Sequence, residues 1–192
     1  MCHHWFVFSE IKEVKPISLL SDFVIECSIR ALKKTEMKIL MVCLGNICRS
    51  PIAEGVLQHK AKLAGLDWIV DSAGTNGLYN GEAPHLLSQK VSKANGIDIS
   101  HQQSRQLTKL DFSKYDKLYA MANDVLAYMK EIGQEKFDSE KTSLFLDELY
   151  PGEHKNVPDP WYGNEDGYVK VFDLIERTCD SIIKNHVEKI KK

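Results

Sequence analysis

The sequence Cys43-Leu44-Gly45-Asn46-Ile47-Cys48-Arg49-Ser50 lies between two predicted regular elements and indicates the architecture around it. Residues 39–42, Ile-Leu-Met-Val, form an apolar run that is typical of a buried strand. Pro51 and Glu54 follow the stretch, and a proline and an acidic residue in the first turn favour the start of a helix. A strand, a tight loop and a helix in this order place the loop at the carboxyl end of a parallel strand, where open α/β sheets bind ligands.

The composition of this loop predicts that the ligand is an anion. Gly45 and Asn46 are the residues that most easily adopt a positive φ, so the backbone can curl with its N–H groups pointing inward. Such a nest at the N-terminus of a helix binds anions. Arg49 adds a planar guanidinium that can hold two oxygens of one phosphate. We therefore predict a phosphate-binding loop.

Cys43 stands at the start of the curl and is the predicted nucleophile. The loop amides, the helix dipole and Arg49 all favour its thiolate, which is the reactive form of cysteine. The alternative is a buried structural cysteine beside an exposed arginine, which is the usual role of either residue alone. The spacing Cys-x5-Arg-Ser, with glycine and asparagine inside it and a strand and helix around it, favours attack on phosphorus.

Two signatures in the chain resemble those of one family. Residues 42–51, Val-Cys-Leu-Gly-Asn-Ile-Cys-Arg-Ser-Pro, are similar to the active-site loop of the low-molecular-weight protein tyrosine phosphatases. The second signature, an Asp-Pro pair followed by aromatics and glycine, stands at residues 159–163. The resemblance covers residues 37–192. It implies a hydrolase that acts on tyrosine-phosphorylated proteins and forms a phosphocysteine intermediate on its own cysteine. The enzyme would release inorganic phosphate and need no cofactor or metal.

Asp159 is the predicted general acid. It lies between Pro158 and Pro160, which stiffen its loop. An aspartate in such a loop is ordinarily a turn residue. Asp159 occurs together with the Cys43 loop and stands in the position of the family's general acid. We therefore expect Asp159 to protonate the leaving phenolate and then to deprotonate the attacking water.

Further site residues are expected around this catalytic set. Trp161 and Tyr162 are predicted to form one wall of an aryl-binding cleft, although ordinary aromatic packing is the alternative. The predicted substrate-binding set is Leu44, Gly45, Asn46, Ile47, Cys48, Ser50, Trp161 and Tyr162. The resemblance also implies that Asn46, Ser50, Ser72 and His101 support the loop. We assign His101 to structure and not to proton transfer. For Cys48 it suggests a reversible disulfide with Cys43, against the alternative of a packed thiol.

Composition narrows the class of protein. A chain of 192 residues with 43% hydrophobic content can form one domain with a proper core. The net charge of −2 gives no indication of nucleic-acid or membrane binding. Five cysteines without paired spacing do not predict a disulfide scaffold, and a catalytic thiolate requires a reducing compartment. We therefore expect a cytoplasmic protein. We also expect a monomer.

Hydrophobic patterns predict strands that alternate with helices. We predict strands at 39–42, 68–70, 117–121 and 143–146, and helices at 51–65, 83–95, 123–132 and 165–190. Alternation of this kind predicts an α/β domain with a four-stranded parallel sheet and helices on both faces. Residues 1–36 do not match the family. We expect a mobile N-terminal extension or a non-native start before a phosphatase domain at 37–192.

Three rival functions remain open at this point. Arsenate reductases share this loop, but they need two further downstream cysteines, and no cysteine lies between Cys48 and Cys179. Arginine phosphatases usually carry threonine at the position of Ile47. A phosphate-binding module or phosphocysteine carrier without turnover would not need both Cys43 and an acid at Asp159.

Overall fold

The computed structural model describes residues 36–190. Two 3-10 turns, at Gln134–Lys136 and Phe145–Glu148, accompany the longer elements. In chain order the strands and helices are β1 (Met37–Cys43), α1 (Arg49–Leu63), β2 (Trp68–Gly74), α2 (Leu86–Ala94), α3 (Asp111–Lys114), β3 (Lys117–Ala120), α4 (Asn123–Gly133), β4 (Thr142–Leu144) and α5 (Glu165–Ile190).

The four strands form one parallel sheet in the order β2-β1-β3-β4. The chain leaves β1 for β2 on one side and reaches β3 on the other, so the order reverses at β1. The last residue of β1, Cys43, stands opposite Gly74 in the register with β2. Open α/β sheets bind ligands at such a reversal, beyond the carboxyl ends of the strands.

Helices cover both faces of the sheet. On one face α1 packs against α2 and α5, over inward-facing side chains such as Ile39 and Met41. On the other face α3 and α4 cover Leu40 and Val42, the alternate residues of β1. A parallel strand between two helical layers is apolar on both faces, which explains the continuous run at 39–42. The predicted fold class is confirmed.

Most element boundaries agree with the predictions, and the differences have local causes. α2 begins at Leu86 and not at residue 83, because His85 is its N-cap and accepts the N–H of Leu87 through its ring nitrogen at 3.3 Å. The Asn156 side chain accepts the backbone N–H of Asn123, the first residue of α4, at 2.8 Å. The last predicted strand ends early, at Leu144. The apolar residues that follow it turn into the core as a 3-10 helix.

The expectation for the N-terminal extension lies outside the described residues, apart from Glu36. Two of the five cysteines, Cys2 and Cys27, also lie outside the described residues. Within residues 36–190, no helix combines the length and the apolar character that a membrane crossing requires.

Candidate active site

The sulfur of Cys43 lies at the base of a curled loop and receives two hydrogen bonds. The backbone N–H of Asn46 donates to it at 3.2 Å, and the Ser50 hydroxyl donates to it at 3.0 Å. Cys43 is only 3% exposed. Both donors favour negative charge on sulfur, and no side chain caps the N-terminus of α1 beside it. The loop therefore places the buried sulfur at the base of the site, where it faces a bound ligand.

Asn46 holds the curl together. Its φ is 55°, the left-handed conformation that asparagine tolerates better than most residues. Its side-chain amide donates to Ser50 at 3.0 Å and to Ser72 at 2.8 Å, and its oxygen accepts the N–H of Arg105 at 2.9 Å. The prediction of a positive φ holds for Asn46. It is wrong for Gly45, whose φ is not positive.

Gly45 is required for close packing instead. A Cβ built on it would lie 2.9 Å from the ring of Tyr79. The contact at Gly74 is equally short but less able to relax, since its Cβ would lie 2.9 Å from a backbone atom, the oxygen of Leu44. The contact at Gly74 brings the loop against the end of β2.

Arg49 and Asp159 lie together although 110 residues separate them. Nη2 of Arg49 donates to Oδ2 of Asp159 at 2.6 Å, and Nη1 donates to the carbonyl of Val157 at 3.3 Å. The arginine side chain is 7% exposed, whereas that of Asp159 is 41% exposed. The other carboxylate oxygen accepts the N–H of Trp161 at 3.1 Å. A buried cation and a solvent-accessible acid therefore stand side by side at the loop.

A cleft of about 280 Å³ opens above these residues. Trp161 and Tyr162 line it, as do Leu44 and Ile47. Tyr162 is almost fully exposed, and the ring of Trp161 packs against Tyr79 with centroids 5.8 Å apart. The remaining lining residues are Cys43, Gly45, Cys48, Arg49, Asn76, Leu78, Tyr79 and Asp159.

Cys48 is buried, and its sulfur lies 3.5 Å from the hydroxyl of Tyr168. Burial raises the pKa of the Cys48 thiol to about 11, so this cysteine stays protonated near neutral pH. Cys43, Cys48 and Cys179 are all free thiols. The disulfide between Cys43 and Cys48 stays a prediction.

The supporting shell differs in part from the prediction. Ser72 is in place, because its hydroxyl accepts from Asn46 and donates to Glu54. His101 is not: it is exposed and lines a separate cavity on the side of α1. The backbone of Arg105, four residues further along, makes the contact with Asn46. His101 therefore has no support in the structure as a loop-holding residue, and Arg105 takes that place.

Sequence reasoning missed several residues that the structure places at the loop. Glu54 and Arg105 support it from behind, Tyr79 packs over Gly45, and Tyr168 contacts Cys48. Tyr79, Arg105 and Tyr168 come from three distant segments, so no local pattern links them to residues 43–50. Glu54 lies one turn after Ser50 in α1, but its bond to Ser72 joins it to a different strand. Among the described residues, no group of three or more His, Cys, Asp or Glu side chains is arranged to hold a metal ion.

Comparisons with known proteins agree with this geometry. The family model described as low molecular weight phosphotyrosine protein phosphatase matches residues 38–192. A protein of that description from Schizosaccharomyces pombe is 35% identical over 153 residues, which cover 76% of this chain and 97% of the relative.

Solved structures give the same result. Wzb from Vibrio vulnificus in complex with benzylphosphonate has a TM-score of 0.71 at 30% identity, covering 79% of this chain and 99% of that one. A mutant of the arginine phosphatase YwlE, with a phosphorylated active-site serine, has a TM-score of 0.71 at 26% identity, covering 78% and 95% of the two chains. The site and these likenesses lead to one assignment: this chain belongs to the low molecular weight phosphotyrosine protein phosphatase family.

Proposed function

We propose that the protein hydrolyses phosphotyrosine in protein substrates through a phosphocysteine on Cys43 and releases inorganic phosphate. The observation that carries this proposal is the buried Cys43 sulfur, which receives two hydrogen bonds in the same cleft as the Arg49–Asp159 pair. A nucleophile, a phosphate-binding cation and an acid meet there in one cleft. These are the groups that the reaction requires.

Substrate binding first rearranges the ion pair. A phosphate dianion carries more charge than the Asp159 carboxylate and offers two oxygens to the guanidinium of Arg49. The amides of the loop, including those at residues 44–48, add donors around the remaining oxygens. Asp159 is then released from Arg49 towards the leaving group.

The first chemical step transfers the phosphoryl group to sulfur. The Cys43 thiolate forms an S–P bond as the bond between phosphorus and the phenolic oxygen breaks. Asp159, which takes up a proton from solvent once it has left Arg49, gives that proton to the phenolic oxygen, and the phenol departs. Arg49 and the loop donors hold the charge on the equatorial oxygens in the transition state.

The second step uses the same groups in reverse. Asp159, now a carboxylate, takes a proton from a water molecule. The resulting hydroxide forms a P–O bond while the S–P bond breaks, which regenerates the thiolate and inorganic phosphate. No metal or cofactor is needed for either step.

The cleft above the loop favours an aryl ester. Trp161, Tyr79 and Tyr162 line it, and a flat phenyl ring between aromatic walls can reach a sulfur at the base. Phosphoarginine is the second candidate, since the arginine phosphatase YwlE has the same fold. Ile47, in place of the threonine expected in that subfamily, favours the aryl ester.

Other parts of the proposal follow from the chemistry. A free thiolate nucleophile requires a reducing compartment, so we place the protein in the cytoplasm. We also propose that it acts as a monomer, with residues 37–192 as the phosphatase domain and residues 1–36 outside it.

The test is hydrolysis of an aryl phosphate by the purified protein with a chelator present. Phosphotyrosine and phosphoarginine peptides are compared in parallel, and arsenate reduction is assayed separately. Cys43→Ser should abolish turnover while inorganic phosphate still binds. Cys179→Ala, which removes a thiol remote from the cleft, is the matched control and should retain turnover. Retained turnover in Cys43→Ser contradicts the nucleophile assignment.

A second variant tests the acid. Asp159→Asn should slow esters of poor leaving groups, such as phenyl phosphate, about a hundredfold more than esters of good leaving groups, because only the former need the proton. Asp166→Asn, an exposed acid in the first turn of α5, is the control. An equal loss across leaving groups would contradict the role of Asp159.

A further inference from the structure

A chain of hydrogen bonds runs from the catalytic sulfur to the far side of the loop. The Ser50 hydroxyl lies 3.0 Å from Sγ of Cys43, and Nδ2 of Asn46 lies 3.0 Å from Ser50. The same nitrogen lies 2.8 Å from Oγ of Ser72, whose hydroxyl lies 2.6 Å from Oε2 of Glu54. Cys43, Asn46, Ser50 and Ser72 are all less than 5% exposed. Between the cleft at Cys43 and the half-buried Glu54, the chain is therefore closed to solvent.

The direction of each hydrogen bond in this chain is determined by its neighbours. The backbone N–H of Arg105 donates to Oδ1 of Asn46, so the amide nitrogen must point towards the two serines. That nitrogen only donates, and both serine hydroxyls must accept from it. Each serine then has one proton left to give. Ser50 gives its proton to the sulfur, and Ser72 gives its proton to Glu54.

We propose that Glu54 is a positioning residue for the reaction, and that its carboxylate is the terminal acceptor that keeps this chain directed towards Cys43. The inference rests on the proposed function, since positioning matters only if Cys43 is the nucleophile. Without an acceptor at Glu54, the proton of Ser72 has no partner in the chain. Ser72 can then rotate and cease to accept from Asn46, which holds the curl of the loop.

The ionisation of Glu54 changes the strength of this hold. Burial raises the pKa of the Glu54 carboxyl to about 7, with the hydrogen bond from Ser72 opposing the shift. Asp71 on β2 adds repulsion, and Arg105 adds attraction. The cavity of about 230 Å³ beside Glu54 is also lined by charged or titratable groups, namely His59, Lys62, Asp98 and His101. A carboxylate accepts a stronger hydrogen bond than a neutral acid, so the loop is held more firmly above neutral pH.

Three variants separate this role from a general effect of charge. Glu54→Gln keeps an acceptor oxygen but has no charge at any pH. Glu54→Ala removes the acceptor. Asp98→Asn is the matched control, since Asp98 lines the same cavity but is bonded to the N–H of Ser100 and not to Ser72. The value of kcat/KM for an aryl phosphate is measured for each variant between pH 5.5 and 8.5.

The value of kcat/KM for the wild type, divided by that for Glu54→Gln, should rise about fivefold with pH, with a midpoint near pH 7. The reason is that only the wild type gains a charged acceptor. Glu54→Ala should be about tenfold less active than Glu54→Gln, since it leaves the Ser72 proton unpaired. The ratio for Asp98→Asn should stay flat. A flat or falling ratio for Glu54→Gln, or equal activity in Glu54→Ala and wild type, overturns the proposal.

A second measurement keeps the outcome separate from that of the proposed function. The rate at which iodoacetamide alkylates Cys43 reports on the sulfur without any turnover, and mass spectrometry identifies the modified cysteine. Glu54→Ala should be alkylated several-fold more slowly than Glu54→Gln, because Ser50 is no longer held on the sulfur. Equal rates contradict the role of Glu54 even if the protein proves not to be a phosphatase. Absent turnover with unequal rates contradicts the proposed function alone.

Discussion

Replacement of Asn46 by alanine is expected to lower the free energy of unfolding by about 3 kcal/mol, because three hydrogen bonds at roughly 1 kcal/mol each are lost. The side chain is 2% exposed, so water cannot replace the amide. Its donors to Ser50 and Ser72 disappear, and the N–H of Arg105 loses its acceptor. Alanine must also adopt the φ of 55°, which adds strain.

Asn46→Gly separates the two causes of this loss. Glycine accepts a positive φ without strain but makes none of the three hydrogen bonds. If the hydrogen bonds dominate, both variants should lose about 3 kcal/mol and differ from each other by about 1 kcal/mol or less. Asn80→Ala, at an exposed loop position, is the control and should change stability by less than about 0.5 kcal/mol.

Urea unfolding followed by circular dichroism gives these free energies. A loss of about 3 kcal/mol corresponds to a fall in Tm of roughly 6–12 °C for a domain of this size. Both variants should also lose aryl phosphatase activity, since the loop that holds Cys43 is no longer fixed. The reasoning is refuted if Asn46→Gly is as stable as the wild type, since backbone strain and not hydrogen bonding would then be the contribution of Asn46.

Two further predictions concern stability at other positions. The pKa of the Glu54 carboxyl is raised to about 7, so protonation stabilises the fold; this contribution is complete below about pH 4.5 and is lost as the pH rises through 7. Relative to Glu54→Gln, the wild type should therefore lose up to about 3 kcal/mol between pH 5 and pH 8, measured by urea unfolding at both values, and a difference independent of pH would contradict this. Gly74→Ala places a methyl group 2.9 Å from the backbone oxygen of Leu44, and we expect it to cost about 1–3 kcal/mol and to lower kcat/KM at least tenfold. Gly167→Ala in α5, with no atom near the added methyl group, should instead stabilise the protein by about 1 kcal/mol, and equal effects of the two substitutions would refute the steric argument.

These tests connect stability with function at Glu54. A buried carboxylate at neutral pH destabilises the fold, yet the same charge gives Ser72 its strongest acceptor. A variant that is more stable but less active at pH 8 is the expected result of removing that charge.

The sequence by itself determined the features that depend on local order. The apolar run at 39–42, the loop at residues 43–50 and the helix after it follow one another directly, so their chemistry could be predicted from spacing alone. The periodicity of α5 predicted its range, Glu165–Ile190. Asp159 could be singled out only because its own neighbours form a second signature, for nothing in its spacing from Arg49 indicates that the two side chains meet.

Tertiary structure decided what lies on the other side of the loop. Ser72 and the backbone of Arg105 bind Asn46 directly, and Glu54 reaches it through Ser72. The pairing of β1 with β2 brings Ser72 beside the loop. His101, to which the resemblance assigned a supporting role, lies on the cavity beside α1, while the backbone of Arg105 contacts Asn46. Hydrogen bonds of this kind depend on distances of a few tenths of an ångström between distant segments. Only packing sets such distances, and no pattern along the chain records them.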